Sequence, residues 1–296
     1  MSLELADHAF LRDLLGGDGL SGPGDDAAAF RARGAVLATI DPVIEGRHVA
    51  PGTSARKIGR KLVHRSFSDL AAMGAWPDAV LVSCCFGRGW PTRRRRDLYR
   101  GILAAVLPTG AGWIGGDIAT CDGPSVWTLC ALGHACASRP VRRSGLCAGD
   151  RLFVTGALGG SLASGWHLDF EPRLEWGKRI AREHRPSAML DVSDGLSLDL
   201  ARLLAASGRL GAVLDAEAIP IRRGSDLRGA LGDGEDYELL FGLRRSRCAR
   251  LAVDPSLPPI ARRPIGEVVA KPGLRLRRAD GSLERLAPRG FEHDLD

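Results

Sequence analysis

The 296-residue sequence predicts a mixed α and β protein of two domains. Two observations predict it: short apolar runs alternate with helix-periodic stretches, and one charged, glycine-containing segment interrupts that pattern near the middle. The first run, GAVLATI at 34–40, stops at Asp41 and Pro42 and reads as a buried strand. Ser54 precedes a stretch in which Ile58, Leu62 and Leu70 fall at helical spacing, and Gly74 supplies a left-handed stop. Residues 78–86 read as the next strand, Thr92 as the cap of a helix running to about Val106, and 125–133 as another strand. The interrupting segment, SRPVRRSGLCAGD, divides an N-terminal domain, 1–138, from a C-terminal domain, 139–296. In the second domain 151–156 is a strand, 158–185 is helical and 188–192 is a strand. Ser193 or Asp194 caps a helix to about Ala206, which Gly208 ends, and 211–219 and 237–243 are strands ahead of a weaker basic segment.

Composition narrows the function. Hydrophobic residues make up 45% and charged residues 26%, which fits a self-folding globular chain and excludes disorder or a fibre. No uncharged apolar stretch reaches the roughly 18 residues of a membrane span. The first residues, MSLELADHAF, carry acids where an export signal needs a basic flank and an apolar block, so a cytoplasmic protein is expected. Seven cysteines without a C-x-x-C pair suggest neither a zinc site nor a disulfide framework. The formal charge of +6 is spread along the chain, and all but four of its 41 basic residues are arginines. That argues against nucleic acid as partner and leaves anionic small ligands open.

The informative acids are Asp25 and Asp26, Asp41, Asp69, Asp117, Asp191 and Asp194, and Glu235 and Asp236, each interrupting apolar or glycine-rich sequence. Such a carboxylate caps amides, pairs with a base or binds a cation, because an isolated buried charge is too costly. Singly, Asp194 reads equally as a helix cap, and Asp25 and Asp41 as turn residues. As a set they suggest one ligand crevice at strand ends. Two charges about 6 Å apart repel by roughly 3 kcal/mol at an effective dielectric near 20, so such a cluster calls for a divalent cation. Magnesium suits hard carboxylate oxygens. There is no G-x-S-x-G elbow, no cysteine with an adjacent histidine, no P-loop and no protein-kinase motif set. GALGG at 156–160 is either a tight turn or an amide cradle for phosphate.

In order along the chain, GPGDDAAAF, ATIDPVIEGRH, SFSDLAAMGAWP, GWIGGD, RSGLCAGDRLFVTGALGG, MLDVSDGLSLDLARLL and GEDYELLF resemble the thiamine-monophosphate kinase family. The resemblance implies the α+β, PurM-like two-domain fold of the aminoimidazole-ribonucleotide-synthetase superfamily. Its N-terminal domain is a mixed, barrel-forming sheet through which two chains dimerise, followed by a C-terminal α/β domain. It further implies transfer of the γ-phosphoryl group of ATP to thiamine monophosphate with several Mg2+ ions. By motif, Asp26, Thr39, Asp41, Asp69, Asp117, Asp191 and Asp194 correspond to metal positions, with turnover depending on Asp41, Asp117 and Asp194. Gly116, Arg143 and Ser193 match nucleotide positions, and His48, Glu235 and Phe291 match positions that touch thiamine monophosphate. Ile40, Ser66, Ile118 and Asp233 depart from the family pattern, and the chain is short between His184 and Met189. A related ATP-dependent enzyme with another small acceptor, and a non-catalytic nucleotide or thiamine-phosphate binder, are the alternatives.

Overall fold

The computed structural model describes Phe10 and residues 34–291. The chain divides into two units, Met1–Leu70 with Trp76–Ala135, and Ala71–Ala75 with Cys136–Asp296.

In the first unit four strands, β1 (Val36–Ile44), β2 (Ala75–Gly87), β3 (Gly112–Cys121) and β4 (Val126–Ala135), form one sheet in the order β1-β4-β2-β3. β1 and β4 are antiparallel, β2 and β3 parallel. Strand β1 runs past the expected stop at Asp41 and Pro42, because it lies at the sheet edge, where a proline's missing N–H need cost no ladder bond. Helices α1 (Ala55–Ala72) and α2 (Thr92–Val106) supply the core, with Ile58, Leu62, Phe67, Leu98 and Ile102 all buried. Their backbones meet at Gly59 and Gly101: a Cβ on Gly59 would fall 2.3 Å from the Leu98 carbonyl oxygen, and one on Gly101 2.2 Å from that of Arg56. Tyr99 of α2 packs edge-on against Phe86 and Trp113 of the sheet, so one sheet face is closed. Thr92 does not cap α2. Pro91 holds that position, and the Thr92 hydroxyl instead accepts from Arg95 Nη2 at 3.2 Å.

The second unit carries a seven-stranded sheet, with β5 (Arg151–Val154), β6 (Ala188–Val192), β7 (Gly211–Asp215), β8 (Glu238–Leu243), β9 (Gly266–Val269), β10 (Gly273–Arg277) and β11 (Leu283–Leu286). Their order is β11-β10-β7-β9-β5-β8-β6. The expected helix over 158–185 is broken into α3 (Ser161–Ser164), α4 (Trp166–Asp169) and α5 (Leu174–Arg179), then a π-helical turn at Ile180–His184. Gly165, with φ of 76°, and Pro172 interrupt it. Helix α6 (Leu196–Ala206) lays Leu196, Leu200, Leu203 and Leu204 into a core shared with Leu190, Leu214 and Leu240. Neither Ser193 nor Asp194 caps it. Gly195 is the cap residue, and the cap is supplied from inside the helix by Asp199, whose carboxylate accepts from the amides of Asp194 and Gly195 at 2.9 and 3.1 Å. Strand β7 ends at Asp215, short of the expected 219, where a 3-10 turn begins. Helices α7 (Leu227–Gly232) and α8 (Arg245–Ala252) complete the unit.

Candidate active site

In the first unit, Thr39 and Asp41 stand two apart on β1, opposite Ala131 and Leu129, and so share the helix-covered face of the sheet. Helix α1 brings Ser66 and Asp69 to them. The Thr39 hydroxyl donates to Asp69 Oδ2, and the Ser66 hydroxyl donates to Asp41 Oδ2 at 2.9 Å. Arg65 lies 3.9 Å from Asp41 Oδ1 and donates to the Pro42 carbonyl at 2.8 Å. Ser66, a departure from the family pattern, therefore orients one of the acids. His48 Nδ1 accepts from the Ile44 amide at 3.0 Å, which leaves the ring proton on Nε2. Its carbonyl accepts from the fully buried Lys61 at 2.9 Å. Sequence reasoning missed Lys61 and Arg65, although Lys57, Lys61, Arg65 and Asp69 recur every four residues along one helix ridge.

Asp117 does not join this group. It pairs in register with Ser83, whose neighbours Val82 and Cys84 point into the core, so Asp117 and Ser83 lie exposed on the opposite face of the sheet. Gly116 is demanded by packing, since a Cβ there would fall 1.8 Å from the Val82 carbonyl oxygen. Asp26 lies outside the described residues.

In the second unit, Asp191 is the penultimate residue of β6 and is buried, and Ser193 and Asp194 follow the strand. Asp194 is held by Arg202, which also reaches Asp199 Oδ1 at 3.0 Å. Burial, opposed by the amides it caps and by Arg202, pushes the Asp199 carboxyl up to about 6. The GED loop returns beside Ser193: the Glu235 amide donates to the Ser193 carbonyl at 2.6 Å, and the Tyr237 amide to that of Val192 at 2.8 Å. Glu235 and Tyr237 both adopt left-handed backbone, φ 52° and 53°, a strain that marks functional loops. The Phe291 amide donates to the Asp194 carbonyl at 2.9 Å, so the C-terminal segment is seated against the same turn. Arg143 is exposed, and its carbonyl accepts from Ser207.

GALGG is a structural turn. The Gly159 amide donates to Asp236 Oδ2 at 2.9 Å and the Gly160 amide to Asp233 Oδ2 at 2.8 Å, so both amides already have carboxylate acceptors. Asp233, another departure, is thus one of the pins. Arg222 closes the clasp, donating to Asp236 Oδ1 at 3.0 Å and to the Ala157 carbonyl at 2.7 Å.

Among the described residues no three histidine, cysteine or acidic side chains form a metal cage. Thr39, Asp41 and Asp69 nevertheless offer hard oxygens only. Two carboxylates with positions left to water and phosphate suit magnesium, and the set lacks the nitrogen and sulfur that zinc prefers.

Residues 24–135 match the family described as AIR synthase related protein, N-terminal domain. Over 292 residues the chain is 38% identical to a thiamine-monophosphate kinase of Rhodopirellula baltica, covering 92% of this chain and 90% of that protein. A thiamine-monophosphate kinase structure from Stenotrophomonas maltophilia K279a superposes with a TM-score of 0.75 at 27% identity, covering 94% of this chain and 95% of that one. AaThiL complexed with AMPPCP and TMP gives 0.76 at 26% identity, covering 88% and 87%.

Proposed function

The chain belongs to the thiamine-monophosphate kinase family and is an ATP-dependent kinase of thiamine monophosphate, and we propose that it works by direct, in-line, magnesium-assisted transfer as a cytoplasmic homodimer. The observation that carries the mechanism is the paired arrangement of Thr39 with Asp69 and Ser66 with Asp41 on the covered face of one sheet. Magnesium, when bound, neutralises charge on the crowded phosphates. Asp41 and Asp69 would hold it there, while Ser66 and Thr39 fix the orientation of their carboxylates. Asp191 and Asp194 serve the same purpose in the second unit, and Asp26 and Asp117 are further metal positions, Asp117 from the open face of the sheet. Ser193, Arg143 and Gly116 contact the nucleotide. The Nε2–H of His48 is a donor for the acceptor phosphate, and Glu235 and Phe291 flank thiamine monophosphate.

No general base is assigned, because the attacking phosphate oxygen is already anionic and what remains is positioning and charge neutralisation. The γ-phosphoryl group leaves ADP as its bond to the acceptor oxygen forms. The dimer is supported by the face of the four-stranded sheet that no described residue covers, where Val36 is 47% and Ile40 66% exposed. A coupled assay with ATP, magnesium and thiamine monophosphate tests the activity: thiamine diphosphate and ADP are expected in equal amounts, and ADP release without thiamine diphosphate would overturn the acceptor.

A further inference from the structure

At the start of β6, ahead of Asp191 and Asp194, the second unit holds a cavity of ≈ 940 Å³ where the π-helical turn passes through three residues into the strand. Arg139, Arg142, Arg182 and Arg185 line it, and none of the four makes an ion pair among the described residues. The one acid in the lining, Glu183, is already paired with Arg250 at 2.6 Å. Ser187 also lines the cavity, and its hydroxyl oxygen is buried without a hydrogen-bond partner. Buried hydroxyls normally find partners, and four exposed guanidinium groups around one open space concentrate positive charge there. Arg185 adds a further cost, since it is held with φ at 50°, its carbonyl accepting from Arg247.

An anion resolves all of these features together. Guanidinium forks match phosphate oxygens bidentately, and the volume falls in the range of small-ligand clefts, roughly 300–1,000 Å³. No aromatic residue lines the cavity, so nothing there offers a base a stacking surface. We propose that this cavity is a binding site for oligophosphate, pyrophosphate or the phosphate tail of a nucleotide, separate from Asp191 and Asp194. Asp191 stands four residues along the strand from Ser187, and at about 3.3 Å per residue that sets the nearest of these acids about 13 Å from the cavity's serine.

Isothermal titration of the full chain with pyrophosphate in EDTA tests it, since without a divalent cation the acid-lined sites repel the ligand. One pyrophosphate per chain is expected, with ADP binding at comparable strength. Arg139→Ala and Arg182→Ala each weaken binding about tenfold, the loss of one charge-assisted contact. Arg185→Gly weakens it similarly while the thermal midpoint stays level or rises, because glycine accepts the left-handed backbone; a merely structural arginine would not behave so. Turnover of ATP and thiamine monophosphate in magnesium is unchanged in all three variants. Absence of uptake by the unaltered chain in EDTA, equal uptake by the variants, or binding of a polynucleotide or ADP but not pyrophosphate would each overturn the proposal.

Discussion

Ser66 shows how one hydroxyl serves a charged neighbour: it donates to Asp41 and also lies 3.3 Å from the Leu129 carbonyl, tying an acid on β1 to α1 and β4 together. Removing it should loosen the carboxylate without disturbing the core. Ser66→Ala is therefore expected to weaken magnesium about 10–100-fold, read from the metal dependence of kcat/KM, with the unfolding midpoint unchanged. Asp41→Asn should lose turnover while remaining folded, measured by the coupled assay and by circular dichroism. Asp236 carries a pH signature. Burial raises its carboxyl to about 6, against the Gly159 amide and Arg222, which lower it. A carboxyl raised in the folded state from about 3.9 takes up its proton more readily there than in the unfolded chain. Its contribution is thus full below about pH 4, declines as pH rises to about 6, and is constant beyond. Urea unfolding should show that decline, about 2–3 kcal/mol, flattened in Asp236→Asn.

Among the elements, the crossing of α1 and α2 depends on two glycines rather than on side-chain interdigitation. Gly59→Ala or Gly101→Ala drives a methyl group into the facing backbone and should destabilise the first unit by about 1–3 kcal/mol in urea unfolding, by forcing the helices apart. The buried Asp254 plays a comparable part near the π-helical turn: burial alone would raise its carboxyl, but Ser256, Arg179 and His184 together hold it well below the usual carboxylate range. Helix α1 was legible from apolar residues at helical spacing, and strands β2, β4, β6 and β8 from short apolar runs. Strand β3 was not, since GWIGGDIATC has three glycines and an acid in place of alternation, and β10, GLRLR, alternates only two leucines with two arginines inside a segment that reads locally as weak and basic.

On the scale of the whole molecule, the sheet face that no described residue covers and the arginines of the cavity bear on two different proposed partners. The face is apolar at its β1 edge, which the proposed dimer would cover; the arginines suit the proposed anion. Ile40→Arg places a charge on that face and is expected to convert a dimer into a monomer in sedimentation velocity, with each chain still folded. A dimer that survives the substitution would remove the open face as its contact.

From the linear chain alone one could read which acids to watch, since a carboxylate beside a buried strand always needs a partner, and the ordered motifs supplied the chemistry. Where those acids stand relative to one another was beyond that reading. Strand alternation sends Asp117 to the face opposite Asp41, and Asp233 and Asp236 turn out to grip the Gly160 and Gly159 amides. The four arginines of the cavity come from two segments some forty residues apart. Periodicity and capping are local properties that a short window of sequence contains; the pairing of charges across such separations depends on register and packing, which exist only once the chain has closed on itself.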